Sequence, residues 1–215
     1  MDAVLRIAVA GIAGYGIGSI SSGYIVGRLY RNVDLRTVGS GSTGATNTYR
    51  ALGLGAALLV AVLDILKGAG SVWIATLFVS APPDERTIAA AAAALGAVAG
   101  HCWPAFLAGR GGRGVATGFG ALLFIATPAW LGAVVAFMIA LAITRMVSVG
   151  SLAAVAGAIC GYAVFVATGY LSFHWAVLTF ILAGGTIVIV RHRANMQRIV
   201  RGSEPRLGRR SSRPM

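Results

Sequence analysis

The sequence is poor in charge, and poorest in acid. Its 215 residues include 6 Asp and Glu against 18 Lys and Arg, so 11% are charged, where soluble domains average about 25%. That excludes an ordinary soluble domain. Cysteine is scarce too. Cys102 and Cys160 are isolated and lack metal-ligand spacing, so they are expected as packing residues, and no metal site is expected. A Gly-Lys-Ser/Thr phosphate loop is missing, which excludes that nucleotide-binding design. No basic cluster precedes the first apolar run, so residues 3–25 are expected to be a retained span rather than a cleaved leader.

What the chain has is apolar length. It is 57% hydrophobic with mean hydropathy +0.81, and several runs reach or approach the roughly 20 residues that cross a bilayer. Its 30 glycines suit close helix packing in membranes. Continuous apolar runs disfavour a β-barrel, whose strands alternate. The expected fold is an all-α polytopic transmembrane bundle of about seven spans, at 3–25, 52–80, 87–108, 115–127, 129–144, 149–168 and 171–190. Pro128 separates the short fourth and fifth.

The cations fix an orientation. Arg28, Arg31, Arg36, Arg50, Arg110, Arg113, Arg145 and the eight arginines from Arg191 onward fall on one side of those spans, and only Arg6 and Arg86 on the other. Cytoplasmic loops collect Lys and Arg, so the N-terminus is expected outside and the C-terminus in the cytoplasm. The net charge of +12 is thereby explained without nucleic acid. Residues 1–204 are expected as one membrane-embedded domain, and 205–215 as a basic, disordered tail touching anionic membrane lipid.

This topology gathers the polar stretches 36–50, 109–117, 145–151 and 191–204 at one interface. "GSGSTGATNTYR" (39–50) brings glycines such as Gly41, which allow close backbone approach and an anion-binding nest. Ser40, Thr43, Thr46 and Asn47 add donors, Arg50 can grip a phosphate bidentately, and Thr43 or Thr46 can cap the next helix. "RGGRG" (110–114) sets Arg110 and Arg113 in a glycine-rich bend before a helix N-terminus, where anions are favoured. In "LDILKG", Asp64 and Lys67 share a helix face; they either neutralise each other or aim Lys67 at an anion. His101 and the "RHRANMQRIVRGSE" segment, with His192, Asn195 and Glu204, complete the candidates. Each stretch also has a plain structural reading, as a polar turn, a cationic anchor or a helix cap.

Taken together, "GSGSTGATN…R", "DILKG", "GHCWPAF…GGRGVAT", "RMVSVGS" and "RHRANMQRIVRGSE" resemble, in order and over residues 10–204, the PlsY family of bacterial acyl-phosphate-dependent glycerol-3-phosphate acyltransferases. The resemblance implies a bacterial inner-membrane enzyme of phospholipid synthesis with its site facing the cytoplasm. It would transfer a fatty acyl group from acyl phosphate to the 1-hydroxyl of glycerol 3-phosphate, giving lysophosphatidic acid and phosphate, with no cofactor and no acyl-enzyme. It also implies a functional link to the enzyme that makes acyl phosphate. Ser40, Arg50, His192 and Asn195 match its essential residues, with Asn47 beside the first two, and Gly111, Gly112, Arg113 and Gly114 match its phosphate-binding loop. Glu204 matches a structural acid, and Lys67, His101 and Ser148 are expected to line the pocket. Ser42 stands where the family usually has asparagine, and Arg110 and Arg113 where it usually has lysines.

An acyl phosphate is already activated, so orientation can lower the barrier by about 7–11 kcal/mol and each well-aimed donor by about 3–4 kcal/mol. Arg113, Arg50 and Lys67 are expected to hold phosphates and Ser40 to sit near the carbonyl. The proton can go to His101, His192 or a substrate phosphate, the last being preferred; an acyl-Ser40 is the less favoured route. Two other readings compete. A transporter of small phosphorylated solutes predicts a midplane site and internal symmetry, and no repeat is visible. A CDP-alcohol phosphotransferase needs an acidic metal cluster, for which Asp34 and Asp64 are too few.

Overall fold

In the computed structural model, residues 2–79 and 81–208 are described. They form α1 (Ala3–Ser19), α2 (Ser22–Arg31), α3 (Ala45–Leu52), α4 (Leu54–Phe78), α5 (Pro83–Cys102), α6 (Val115–Ile125), α7 (Thr127–Thr144), α8 (Val147–Ala167), α9 (Trp175–Arg191) and α10 (Arg193–Val200), with a 3-10 turn at Ala105–Leu107. No strand occurs among the described residues.

The core is built on α5. It starts with Pro83 and with Asp84 and Glu85 in its first turn, which suit a helix N-terminus. The alanine run that follows has so little side chain that neighbours pack onto it from several sides, and Ala89, Ala93, Ala94 and Ala97 are fully buried. Across from it, Gly14 and Gly18 of α1 lay their backbone on Ala93 and Ala97, where any Cβ would overlap a carbonyl. Similar contacts join α4 to α6 (Gly68 on Thr117, Gly120 on Ile65) and α7 to α8 (Gly132 on Gly157). Lipid is as apolar as leucine, so close packing of this kind, rather than burial, holds membrane helices together.

Large apolar side chains face outward instead. Leu58, Val62, Leu66 and Trp73 of α4 and Leu131, Val135, Met138 and Ile143 of α7 are exposed, far beyond the patches a water-soluble monomer shows. The chain is an integral membrane protein.

The span pattern departs from seven simple crossings. Five segments are long and apolar enough to cross, or six if α9 and α10, bent by 57°, count as one. The expected fourth span is α6, of 11 residues and about 16 Å, half a bilayer core. Gly114 starts it at φ +86° and Pro128 restarts the chain as α7, so neither end can be extended. The first expected span is interrupted at Ile20 but runs on through α2 as one candidate crossing, Ala3–Arg31, and the second begins at Leu54, after Gly53 (φ +88°) ends α3. Neither Thr43 nor Thr46 caps α3; Gly44 takes that position. Of the expected disordered tail, residues 209–215 lie outside the described residues.

One end of the bundle is tied by polar contacts between helix starts: an ion pair joins Arg6 of α1 to Glu85 of α5, and His174 Nε2 before α9 lies in hydrogen-bond reach of Asp84 Oδ1 at 2.9 Å. The loops and caps bearing the candidate site residues lie at the other ends of these helices.

Candidate active site

The first polar segment is ordered by one side chain. Asn47 Oδ1 accepts from the Ser40 amide (2.9 Å), while Nδ2 faces the carbonyls of Leu35, Val38 and Ser42 at 2.9–3.0 Å. Gly39 is at φ +58°, and a Cβ there would collide with Asn47 Oδ1, so this position requires glycine. Upstream, Arg36 clasps Asp34 at 2.7 Å, and that hydrogen bond holds the Asp34 carboxyl down to about 2. The result is a rigid turn that places Ser40, Ser42, Thr46 and Asn47 on a cavity wall.

The second segment doubles back under α5. The Gly112 amide donates to His101 O (3.0 Å), and Gly111 and Gly112 press so closely on His101 and Pro104 that a Cβ on either would overlap them. Arg113, Gly114 and the first residues of α6 then line the same cavity. Burial and the nearby arginines push the half-buried Arg113 guanidinium down to about 10. It stays charged at neutral pH, in surroundings that an anion would relieve.

The cavity holds about 440 Å³ and is two-faced. Its polar end carries Ser40, Ser42, Thr46, Asn47, Asp64, His101, Arg113 and His192. Its apolar arm runs between α6 and α7. Ala116, Phe119 and Leu123 form one face, and Trp130, Val134 and Phe137 the other, with Phe119 and Phe137 edge-on at 5.8 Å.

The two histidines are held differently. His192 Nδ1 lies 2.8 Å from Val188 O. A carbonyl only accepts, so Nδ1 carries the proton and a neutral ring keeps its lone pair on Nε2. His101 Nδ1 lies 3.5 Å from Asp64 Oδ1, which also pairs with Lys67 Nζ at 2.9 Å. The Lys67 ammonium donates in addition to Ile20 O, at the break after α1. It is not on the cavity wall, whereas its partner Asp64 is, so the "DILKG" pair stands with one member facing the cavity and the other behind it.

Several expected wall residues stand behind or beside the cavity. Ser148 does not line it: its hydroxyl donates to Glu204 Oε1 (2.7 Å), and Ser151, one turn further on, takes the wall position. Asn195 Nδ2 donates to the same Glu204 oxygen (2.6 Å) and Arg198 Nε to Oε2 (2.8 Å). Gly41, Gly111 and Gly112 shape the turns, and Arg110 is exposed outside. Arg50 is exposed too, within the field of Glu204 and Arg198. Ser42, Asp64, Ser151 and the aromatic arm are cavity residues that the sequence reading did not assign to binding. Only helical spacing could have found the arm, and α6 and α7 are apolar on every side.

Glu204 makes a strap of the chain end, reinforced by the Leu207 amide on Arg145 O at 2.7 Å. Burial would raise its carboxyl, but hydrogen bonds from Ser148, Asn195 and Arg198 outweigh that and hold it below the ordinary range. Stability from a lowered carboxyl is present above its unfolded value, about 4.3, and is lost as pH falls through the folded one. Melting of the detergent-solubilised protein should therefore drop by a few degrees in Glu204→Gln at pH 7. The gap to wild type should close on acidification; a gap independent of pH contradicts this assignment.

The glycerol-3-phosphate acyltransferase family model matches residues 8–202. The chain is 44% identical over 212 residues to the glycerol-3-phosphate acyltransferase of Synechococcus sp. (strain JA-3-3Ab), covering 97% of each. It is 39% identical over 200 residues to that of Gloeobacter violaceus, covering 91% of this chain and 92% of the relative. Among solved structures, it is similar to crystal structures of PlsY (YgiH), an integral membrane glycerol 3-phosphate acyltransferase. The glycerol 3-phosphate form matches with TM-score 0.80 and 33% identity, covering 97% of this chain and 96% of the other. The lysophosphatidic acid form matches with TM-score 0.77 and 32% identity, covering 94% and 95%. The fold and cavity define a membrane-embedded helical protein with an amphipathic site. The chain belongs to the glycerol-3-phosphate acyltransferase family.

Proposed function

We propose that this protein transfers a fatty acyl group from acyl phosphate to the 1-hydroxyl of glycerol 3-phosphate, releasing lysophosphatidic acid and phosphate. One observation carries the reading: a polar end bearing Arg113 and an aromatic-lined apolar arm share one cavity. Glycerol 3-phosphate needs only the first. An acyl phosphate needs both.

In this mechanism the 1-hydroxyl oxygen attacks the acyl carbonyl carbon, the bond from that carbon to the phosphate oxygen breaks, and the hydroxyl proton passes to a phosphate oxygen. His192 Nε2, its lone pair set by Val188, lines the same end of the cavity and is the alternative acceptor for that proton. Arg113 and the α6 N-terminus hold phosphate, with Arg50 at the rim. The Ser40 amide is used by Asn47, so its hydroxyl is the group offered to the carbonyl. Asp64 holds His101 on the wall, and Lys67 acts as scaffold behind that pair. The site opens to the cytoplasm of a bacterial inner membrane, with residues 1–204 as one domain. Acyl phosphate is handed over by the enzyme that makes it.

Purified protein given acyl phosphate and labelled glycerol 3-phosphate should yield labelled lysophosphatidic acid, and acyl-CoA should not substitute. Absence of product with acyl phosphate contradicts the reading. With acyl phosphate alone, mass spectrometry should find no acyl-Ser40; its accumulation at a competent rate would replace direct transfer by a covalent route. Leu123 and Trp130 are the lining residues next to the α6–α7 junction, where an acyl chain laid along the arm would end. Trp130→Ala should shift kcat/KM toward longer acyl phosphates by roughly tenfold, since a methylene in an apolar pocket is worth at least that. An unmoved chain-length profile would show that the chain ends elsewhere.

A further inference from the structure

Arg191 ends α9, where any cation suits the helix dipole. Its contacts go beyond that. Nε donates to Gly112 O (3.0 Å) and Nη2 to Gly111 O (3.2 Å), and the guanidinium lies over the Trp103 ring, 5.6 Å from its centre. A planar fork on two consecutive carbonyls is a built contact, which a point charge cannot reproduce.

Peptide geometry gives the contact its consequence. In a trans peptide the C=O and the following N–H point in opposite directions. Holding Gly111 O toward Arg191 sends the Gly112 N–H the other way, where it meets His101 O at 3.0 Å. Holding Gly112 O likewise fixes the direction of the Arg113 N–H, immediately before the cavity-lining start of α6. Glycine peptides flip easily, and a flipped plane here would turn a carbonyl dipole toward a bound anion. Arg191 spans both carbonyls at once, so a single side chain sets the two peptide planes together.

We infer that Arg191 is a positioning residue for the phosphate site: it locks the Gly111 and Gly112 carbonyls away from the cavity, so that Arg113 and the α6 amides meet a phosphate monoester. This rests on the phosphate-handling reading proposed above. It is distinct from the role of His192 on the adjoining turn, because Arg191 acts on the loop and not on substrate.

The test compares Arg191→Gln and Arg191→Lys with wild type in two ways. In steady-state kinetics, KM for the substrate whose phosphate the loop holds should rise tenfold or more in Arg191→Gln, with kcat within about threefold, as expected for a grip equal in ground and transition states. Arg191→Lys should recover only a minor part. In hydrogen exchange, amides 112–116 should exchange faster in Arg191→Gln, and inorganic phosphate, which should slow them in wild type, should no longer do so. Unchanged KM, a loss in kcat alone, or full rescue by lysine would overturn the inference. If Arg191→Gln does not fold, Arg191→Lys carries the same comparison. A wild type inactive with acyl phosphate would refute the proposed reaction alone, since protection by phosphate still tests Arg191.

Discussion

Arg113→Ala should lower kcat/KM by about 10²–10³-fold, the range seen when one preorganised donor to a developing anion is removed. Arg113 combines what an anion site needs. It is half-buried on the cavity wall, it precedes the unpaired amides of α6, and burial plus neighbouring cations depress its guanidinium to about 10. Part of the loss should appear in KM, because phosphate is gripped before as well as during transfer. Arg113→Lys should recover about tenfold, keeping charge but losing the fork. Steady-state kinetics with both substrates varied checks this. An unchanged KM in Arg113→Ala would remove the residue from the phosphate site.

Asn47→Leu should abolish activity, by more than about a thousandfold, and lower the melting temperature by several degrees. The leucine would strand the Ser40 amide and the carbonyls of Leu35, Val38 and Ser42, each buried unpaired group costing about 1–3 kcal/mol. Without Asn47 the turn loses the tie that sets Ser40 toward the cavity. Asn47→Asp keeps the acceptor for Ser40 but loses both donors and adds a buried charge facing three carbonyls, so it should fare no better. Melting curves and acyl transfer, measured on the same preparations, decide the matter. Near-normal turnover with Asn47→Leu would mean that the loop is ordered by something else.

Local pattern carried the reading far where the chemistry was local. The glycines of 39–44, the pairing of Asp64 with Lys67 three residues apart, and the helix start at Val115 were all legible, and so was the membrane-spanning helical class. What escaped was tertiary. Lys67 turns to Ile20 O because the first span breaks there, and nothing in so apolar a run announces a break. Ser148 belongs to Glu204, from a strap 56 positions away, whereas Ser151 faces the cavity. Arg191 looks like an ordinary cationic anchor until its carbonyl partners are known. Trp130 lies in a helix without a polar side, so periodicity could not say which face meets the cavity.

Binding of labelled glycerol 3-phosphate, without acyl donor, tests most directly whether these separate segments form one site. Isotherms are needed for wild type, for Arg50→Ala, Arg113→Ala and His192→Ala, and for each pair. If all three segments meet one ligand, every single variant should weaken binding, and the pairs should depart from additivity by more than about 0.5 kcal/mol. Strictly additive effects, or wild-type affinity in any of the three, would contradict a shared site.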